Sequence, residues 1–522
     1  MEESDCSFRQ NKGSGGMTES KQRYHPLLIL FHLWRLLKNS IVFVIYLFVI
    51  KFGSDSTFIK YGRIIFFLLI GISIISIVVK WFSHKYKVDD TSFHLYKGLF
   101  AKSERTIPFS KIQNVNRRTT VIHRIFNVTS IKFETGMSDS DATVAFEAIP
   151  KKEADHLEAH ITNTGVDEPS TNQAVSDPDM PPQDSKEAVV SNRRIHFKPT
   201  KKELIKASFT SFSFLVLIPI IISAYFKLTE IFHVGKKVEG LFLQITHSWW
   251  LLTIIVIVML FASVIFGFAK TFLTYGKYEI ASSEEQIFIT KGIVEETTFT
   301  ISKDKVQAIE MTQSLMKRLL GLVEVKLISA GGSNDGDEEM EINSLYPFLP
   351  IEQARKIISE ILPSYEVTEE MTRLPGKSLW VRLFRPSWLW IFSTGLLFYF
   401  KPAVLGITQA WWILSIGLLL SIVVSRLLDF FHTSYTFNHH FIQFQTGGFT
   451  TSLFTSKRDK IMEVKISRNI VQRMLGLASI ETVNRAKPVR HTALHDVPVQ
   501  LGERFYTWYK KRENEIKIES KQ

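Results

Sequence analysis

The stretch SLMKRLLGLVEV, residues 314–325, decides the fold of this 522-residue chain because its plan occurs three times. The other two occurrences are VIHRIFNVTSI at residues 121–131 and IVQRMLGLASI at residues 470–480. In each, a short apolar turn carries an arginine and stops at glycine or asparagine, residue types that tolerate the positive φ of a helix C-terminal cap. So short a helix is unstable unless its apolar residues pack. Each stretch is therefore predicted to be part of a larger folded unit.

Fixed spacing identifies these units as internal copies. In every copy a lysine stands 13 positions after a glycine that ends a predicted strand, and the arginine stands 13 positions after the lysine. Two intervals kept three times indicate a repeat. The repeated residues are Gly98, Lys111, Arg124 and Asn127 in copy 1, Gly292, Lys305, Arg318 and Gly321 in copy 2, and Gly447, Lys460, Arg473 and Gly476 in copy 3.

The remainder of each copy predicts a small sheet closed by a helix. Alternating stretches such as KVQAIEMT, residues 305–312, suit partly buried strands. Each copy ends with a proline, at Pro150, Pro350 and Pro498, and an amphipathic segment follows it, as is typical of a helix that begins there. Several short strands followed by one such helix predict a small β-barrel or sandwich capped by its C-terminal helix.

Apolar blocks that are nearly free of charge predict membrane-spanning helices. A helix needs about 20 apolar residues to cross roughly 30 Å of hydrocarbon. Two weaker blocks, residues 40–50 and 388–400, each lie one short loop from a stronger block, so we expect the blocks to pair into three helical hairpins. A buried core helix is the alternative for either weak block. The stronger blocks are residues 64–79, 209–226, 249–268 and 407–424.

Basic residues predict the orientation of the chain. Lysine and arginine are more frequent in the flanks outside the hairpins than in the hairpin loops, which places both termini and all three sheet domains in the cytoplasm of a six-span protein of the cell membrane. The net charge of +12 fits a surface that lies against anionic lipid. Nucleic-acid binding is the rival explanation. The sequence lacks a concentrated basic helix or an aromatic platform, so we expect no nucleic-acid partner.

These observations divide the chain into eight segments and predict an α+β membrane protein with three repeats of a transmembrane hairpin followed by a sheet domain. The segments are a disordered N-terminal tail (1–26), hairpin 1 (27–82), domain 1 (83–163), an acidic, proline-rich linker (164–192), hairpin 2 (193–270), domain 2 (271–366), hairpin 3 (367–428) and domain 3 (429–522).

The residues KDKVQAIEMTQSLMKRLLGLVEVKLISAG (303–331), together with IPFSKIQNV (107–115), resemble the signature of the bacterial pleckstrin-homology-like (PH-like) membrane proteins, a family long catalogued as a domain of unknown function. Outside the tail and the linker, the chain is similar to the longer, YdbT-type members, which contain three copies. The resemblance implies a PH-like fold for each domain, a cytoplasmic membrane location and frequent partnership with a shorter PH-like relative. It implies no reaction. Copy 1 departs from the family pattern at Asn127, and copy 3 carries more charge than is usual.

Motifs for catalysis, phosphate and metals are incomplete. LPGKS, residues 374–378, has Met371 where a phosphate-binding loop needs glycine. The acidic segment 333–341 lacks the alternating ligands of a calcium loop. A single cysteine, Cys6, excludes a disulfide within the chain. We therefore expect no enzyme activity, cofactor or metal site. Four histidines are interpreted as ordinary surface residues, two side by side in a predicted strand and two in a predicted loop: His439, His440, His491 and His495.

The repeated lysines and arginines admit two explanations. They could bind lipid phosphates, for which the bidentate guanidinium is well suited. Alternatively, each arginine could bind the last carbonyls of its short helix or pair with a carboxylate. We favour the structural role, because positions repeated in copies that need not share a ligand usually serve the fold.

The sequence therefore leads to the hypothesis of a non-enzymatic integral membrane protein. Its three PH-like domains would form a scaffold for the inner leaflet or for protein partners, by self-association or with a shorter PH-like membrane protein, and would protect the envelope against membrane-active peptides. The alternative is a transporter or lipid-handling protein. Proton coupling is not expected, since no predicted span has an acidic residue in its middle and Asp429 lies just past the last one.

Overall fold

A computed structural model describes most of the chain, and its contacts form two compact units. Unit 1 comprises Met1–Ile112, Arg117–Lys132 and Val144–Met180, and unit 2 comprises Gln113–Asn116, Phe133–Thr143 and Pro181–Gln522. The described residues are 21–51, 56–98, 102–135, 143–163, 193–210, 249–329, 344–401, 410–438, 440–486 and 488–511. Several predicted features lie outside them: most of the N-terminal tail with Cys6, the linker 164–192, residues 211–226 of an apolar block, the acidic segment 333–341 and His439.

The elements of copy 1 are strands and helices in the order β1 (Gln22–Arg23), α1 (Leu27–Val44, continued to Ile50 as a π-helix), α2 (Thr57–Ser83), β2 (Lys85–Val88), β3 (Ser92–Lys97), β4 (Ser103–Pro108), β5 (Ile112–Thr119), α3 (Val121–Ile125), β6 (Val128–Thr135), β7 (Thr143–Pro150) and α4 (Lys151–Asn163). A single 3-10 turn, Phe109–Lys111, precedes β5.

Copy 2 has the same order of elements: β8 (Arg194–Phe197), α5 (Lys201–Thr210), α6 (Trp249–Tyr275), β9 (Glu279–Ser282), β10 (Gln286–Lys291), β11 (Glu296–Ser302), β12 (Val306–Gln313), α7 (Leu315–Leu319), β13 (Leu322–Ser329), β14 (Ser344–Pro350) and α8 (Ile351–Ile361). The 3-10 turn Lys303–Lys305 precedes β12.

Among its described residues, copy 3 has the same order with an additional helix, α9: β15 (Thr372–Arg373), α9 (Lys377–Leu383), α10 (Trp388–Phe400), α11 (Ala410–His432), β16 (Ser434–Phe437), β17 (Phe441–Thr446), β18 (Thr451–Lys457), β19 (Ile461–Ser467), α12 (Ile470–Leu475), β20 (Leu477–Asn484), β21 (Arg490–Pro498) and α13 (Val499–Lys510). The 3-10 turn Arg458–Lys460 precedes β19.

Three of the described helices are long and apolar enough to cross a membrane: Leu27–Phe48, Thr57–Ser83 and Ala410–His432. The 27 residues of α2 extend over about 40 Å, more than the hydrocarbon thickness. The apolar end of α6, Phe261–Tyr275, is shorter. The 13 residues of α10 reach only about 20 Å, so this weak block is the shortest of the predicted spans that the structure describes.

In each copy a short strand before the predicted hairpin pairs with the first strand after it, so both ends of that segment lie at one sheet edge. Gln22 of β1 lies opposite Tyr86 of β2, Ile195 of β8 opposite Ala281 of β9, and Thr372 of β15 opposite Tyr435 of β16. The sequence analysis did not predict these leading strands. Two to four residues are too few to show a period of two.

The largest sheet within unit 2 joins copies 2 and 3. Its strand order is β14-β13-β12-β18-β17-β16-β15. The joint is the antiparallel pair β12–β18, in register from Ala308 opposite Ser456 to Gln313 opposite Thr451. The last three strands of copy 3 form a separate sheet, β19-β20-β21. Copies 2 and 3 therefore share one sheet and do not form separate domains.

Apolar burial follows the same division. In copy 2 the closing helix α8 buries Ala354, Ile357, Ile358 and Ile361 against a core that includes Tyr346. The copy 3 core contains Phe444, Phe454 and Phe505, and also Ala308 from β12 of copy 2. The joint between the copies therefore buries apolar side chains in addition to pairing backbones.

Candidate functional site

The repeated cations occupy the same two structural positions in every copy. Lys111, Lys305 and Lys460 each end the 3-10 turn that leads into the next strand. Arg124, Arg318 and Arg473 are each the fourth residue of a short helix. The residue before each helix caps it, because the side chains of Thr120, Ser314 and Asn469 accept a hydrogen bond from the backbone N–H three residues later.

The residues that end the helices and strands have the backbone conformation that their type permits. Asn127, Gly321 and Gly476 follow the short helices with φ of 52°, 67° and 70°. Gly98, Gly292 and Gly447 end strands at φ of 104°, 94° and 121°. Left-handed backbone of this kind strains most other residues. These six positions serve the backbone.

In copy 2 the repeated arginine links the short helix to copy 3. The Arg318 guanidinium lies 3.2 Å from Nε2 of His432, the last residue of α11, and donates to Thr451 Oγ1 at 2.8 Å, where β18 begins. In the opposite direction, Lys460 of copy 3 donates to the Asp304 carbonyl of copy 2 at 3.0 Å. Two of the six cations thus bind protein groups across the joint. Lys305 is paired locally with Asp304 at 2.8 Å.

The mostly buried carboxylate of Glu310 also contributes to the joint between copies 2 and 3. Glu310 of β12 accepts hydrogen bonds from Ser452 Oγ of β18 at 2.7 Å and from Arg490 of β21 at 2.6 Å. Ser456 Oγ donates to the Gln307 carbonyl at 3.0 Å. Sequence reasoning missed this joint, since periodicity identifies a strand without identifying the strand it pairs with.

Each short helix presents exposed apolar side chains beside a membrane hairpin. In copy 1, His123 of α3 stacks on Phe31 of α1 with ring centroids 4.3 Å apart. In copy 2, α7 contacts the end of α11 through Arg318, and in copy 3, α12 contacts α9. The exposed residues are Val121 and Ile125 on α3, Leu315, Met316 and Leu319 on α7, and Ile470, Val471 and Met474 on α12. Apolar side chains at the foot of a hairpin suit the boundary between headgroups and acyl chains.

A buried charge cluster connects hairpin 3 to its sheet. We call Arg382, Asp429, Gln472 and Asp496 the base cluster. Arg382 of α9 donates to Asp429 of α11 at 2.7 Å, and its Nε lies 3.5 Å from Asp496 Oδ2. Gln472 of α12 donates to Asp496 Oδ1 at 2.7 Å. Asp496 is fully buried and has a positive φ of 63°. Two hairpin helices, the short helix and β21 are therefore held by one ionic network.

A groove of about 430 Å³ lies between β8 and α8 in unit 2. In its wall His196 contacts Glu360 at 2.7 Å and Ser282 Oγ at 2.8 Å. The hydrogen bond from His196, with the charge of Arg194 nearby, holds the pKa of Glu360 below its ordinary value. Serine, histidine and carboxylate in a row resemble a hydrolase triad. Ser282, however, is buried and does not line the groove, so the row connects β8, β9 and α8 without offering a nucleophile.

The corresponding position in unit 1 holds a groove of about 310 Å³ between β1 and α4. There Tyr86 donates to Glu153 of α4 at 3.0 Å, and burial raises the pKa of Tyr24 to about 12. In copy 3, Trp508 of α13 donates to the Asn438 carbonyl instead. Each copy holds its closing helix with different residues. The grooves of copies 1 and 2 therefore lie at the same place in the fold, but their side chains do not indicate a common ligand.

The remaining sequence candidates have structural partners. Ser378 of the GKS motif is buried and donates to the Asp496 carbonyl at 2.5 Å, so its hydroxyl is not available to a phosphate. Residues 490–498 form the strand β21, and the predicted loop was wrong, since β20 supplies the pairing that local composition did not reveal. His491 contacts Glu481 and His495 contacts Ser479. Among the described residues no cluster of three metal-binding side chains occurs.

Comparison with known proteins gives one family and one curated relative. The family model described as Bacterial PH domain matches residues 41–164, 212–364 and 393–513. The UPF0699 transmembrane protein YdbT of Bacillus subtilis (strain 168) is 25% identical over 506 residues, which cover 94% of this chain and 99% of that protein. No solved structure matches the chain.

Proposed function

Because the chain belongs to the bacterial PH domain family, we propose that it is a non-enzymatic integral membrane protein that presents three PH-like domains as a cytoplasmic scaffold. The scaffold serves protein partners and the inner leaflet. The joint between copies 2 and 3 carries this proposal, because strand pairing, a buried alanine and two side-chain links hold the copies as one surface. Domains that acted separately would not need a shared sheet.

The proposed architecture is three hairpins and six spans, with each PH-like barrel capped by its closing helix, within the domain boundaries given above. The repeated order of elements and the long helices α1, α2 and α11 support it. Single cysteines test the orientation. In a Cys6→Ser background, Lys326→Cys and Lys465→Cys resist an impermeant thiol reagent in intact cells and react after lysis. Labelling of intact cells at either position would contradict the orientation.

Contact with the inner leaflet is supported by the short helices and by the charge of the chain. Each of α3, α7 and α12 exposes two or three large apolar residues beside a predicted hairpin. The net charge of +12 favours the anionic leaflet. We therefore assign the short helices to the membrane boundary, with the repeated cations behind them serving mainly the fold.

The biological role that we propose is envelope protection against membrane-active peptides, with a shorter PH-like membrane protein or a second copy as partner. A deletion strain challenged with a panel of such peptides tests the role. Increased sensitivity that is restored by the wild-type gene supports it. Unchanged sensitivity across the panel rejects it. Affinity capture from native membranes identifies the partner.

A transporter or lipid-handling protein is the second candidate. It is favoured by the ionisable pair Arg382–Asp429, which lies at the end of α11. Against it, the pair is fixed by Thr433 and Gly447, which also bind its members. Reconstitution of the pure protein into vesicles separates the two: solute flux or lipid scrambling without a partner would favour transport, and inert vesicles favour the scaffold.

A further inference from the structure

Copy 3 ends in a strand edge that is occupied in copy 2. β12 lies between β13 and β18, whereas β19, its counterpart 155 residues later, is the outermost strand of β19-β20-β21 within the described part of the chain. Exposure changes accordingly. Met311 of β12 is 6% exposed and its counterpart Ile466 is 37% exposed, and Ala308 is fully buried where Glu463 is exposed. β19 therefore has no strand at the position where β12 has β18, among the described residues.

The repeated arginine shows the same difference. Arg318 binds His432 and Thr451, both supplied by the next copy. Arg473 occupies the corresponding place in α12, and among the described residues its guanidinium has no hydrogen-bond or ion-pair partner. Copy 3 therefore carries both halves of the joint, the strand edge and the arginine, without their counterparts.

We propose that the β19 edge and Arg473 bind an edge strand from a separate membrane protein with the same sheet plan. This inference rests on the proposed scaffold function. The incoming strand takes the place that β18 takes on β12, antiparallel and in the same register. In copies 2 and 3, Phe454 faces Glu310 and Thr451 faces Gln313. Lys465 and Arg468 are the counterparts of Glu310 and Gln313 on β19, so each of them faces one residue of the partner strand.

Charge specifies the chemistry of the partner strand. Lys465 replaces Glu310, and Arg468 replaces Gln313, so the edge is more basic than the occupied one. Opposite charges in directly facing positions stabilise a strand pair, and like charges destabilise it. The partner strand therefore carries an acidic residue opposite Lys465. The first residue of the partner strand accepts a hydrogen bond from Arg473, as Thr451 of copy 3 accepts one from Arg318 of copy 2.

A second copy of this chain fits the edge poorly. In copy 1, the counterpart of β18 is β4, the outer strand of the sheet β1-β2-β3-β4. If β4 of a second molecule paired with β19 in the register of β12–β18, Arg105 would face Lys465 and Lys102 would face Arg468. Both facing pairs are repulsive. Residues 512–522, which follow α13 directly in the sequence, are a separate outcome of the crosslinking test below. The separate chain is the occupant that the charges favour.

Photo-crosslinking in native membranes tests the edge. A benzophenone amino acid replaces Ser467 in the full-length protein, and the matched control places it at Thr312, the half-buried counterpart on β12. We expect Ser467 to yield an adduct with another chain, at a peptide that has an acidic residue and follows a membrane helix. Thr312 reacts only within the chain, with β18. An adduct with a second copy, with residues 512–522, or with nothing overturns the proposal.

A charge reversal provides the second test. Lys465→Glu lowers the yield of the Ser467 adduct about tenfold, because the facing acidic pair becomes repulsive. Lys510→Glu, on the exposed side of α13, leaves the yield unchanged. An equal yield in both variants overturns the proposal.

Affinity capture of the wild-type protein from the same membranes separates the two levels of inference. If a partner is captured and crosslinks elsewhere, the edge proposal fails and the scaffold stands. If no partner is captured, the scaffold for protein partners fails as well.

Discussion

At the scale of single residues, charged side chains lie where a protein group neutralises them. Arg318, Lys460 and Arg382 all bind carbonyls, hydroxyls or carboxylates of neighbouring elements. Buried charge is tolerated only when it is paired and hydrogen-bonded. This placement favours the structural explanation of the repeated cations wherever their partners are seen, whereas the side chains of Lys111 and Arg473 have no such partner among the described residues.

The first prediction concerns the base cluster. Arg382→Ala leaves the buried Asp496 without its nearer, buried cation, which costs about 3 to 5 kcal/mol, and we expect faster hydrogen exchange in β21 and α12. Arg385→Ala is the control, since its half-exposed side chain lies 3.7 Å from the same carboxylate. Exchange is measured by mass spectrometry in detergent micelles. Equal protection of β21 in Arg382→Ala and the wild type would refute the role of the cluster.

The second prediction is a pH dependence at Glu360. A carboxyl whose pKa is lower in the folded protein than in the unfolded chain stabilises the fold above its ordinary pKa and loses that contribution as pH falls. The pKa of Glu360 is lowered by His196, so the protection of β8 against hydrogen exchange decreases on acidification below the ordinary glutamate pKa, about 4.3. Glu360→Gln flattens this dependence. Glu352→Gln, exposed on the same helix, does not. A dependence that survives Glu360→Gln would assign it to another group.

At the scale of elements, glycines that all have positive φ are under different steric constraints. A Cβ added at Gly447 would lie 2.0 Å from the Thr450 carbonyl oxygen, whereas one added at Gly476 meets nothing within 4 Å. The turn between β17 and β18 therefore needs glycine for space as well as for conformation. The end of α12 needs it for conformation alone.

The third prediction follows from this contrast. Gly476→Ala costs about 1 to 2 kcal/mol, the penalty of left-handed backbone for a residue with a side chain. Gly447→Ala costs more than about 3 kcal/mol, because the turn must also open. Thermal unfolding followed by tryptophan fluorescence ranks the two variants against the wild type. A smaller loss for Gly447→Ala than for Gly476→Ala would contradict the steric account.

Local sequence predicted the elements better than their pairings. The end of each short helix was predictable, since asparagine or glycine stands where φ is positive. The leading strands before the hairpins were not, because Gln22–Arg23 and Thr372–Arg373 are too short for periodicity. β21 was taken for a loop, and the base cluster was missed, because its members lie far apart in sequence. No local pattern encodes an ion pair between Arg382 and Asp496.

At the scale of the whole molecule, the repeat explains both a joint and an open edge. β12 and β18 belong to different copies, and each supplies what the other copy lacks. The three copies were predictable from spacing, but the shared sheet was not, since separate domains would show the same spacing. Because copies 2 and 3 are joined through β12 and β18, the counterpart of β12 in copy 3, β19, is a sheet edge among the described residues.

Disulfide trapping of the joint between β12 and β18 tests the central claim most directly. In a Cys6→Ser background, Thr312→Cys with Ser452→Cys places the two thiols at directly facing positions, about 5 Å apart between Cα atoms and within reach of a disulfide. Gln307→Cys with Ser452→Cys is the control, displaced along β12 by five residues or about 17 Å. After oxidation of isolated membranes and digestion, mass spectrometry quantifies the linked peptides. A shared sheet predicts linkage of 312 with 452 and little of 307 with 452. Absence of the first linkage, or equal amounts of both, would show that copies 2 and 3 are not joined.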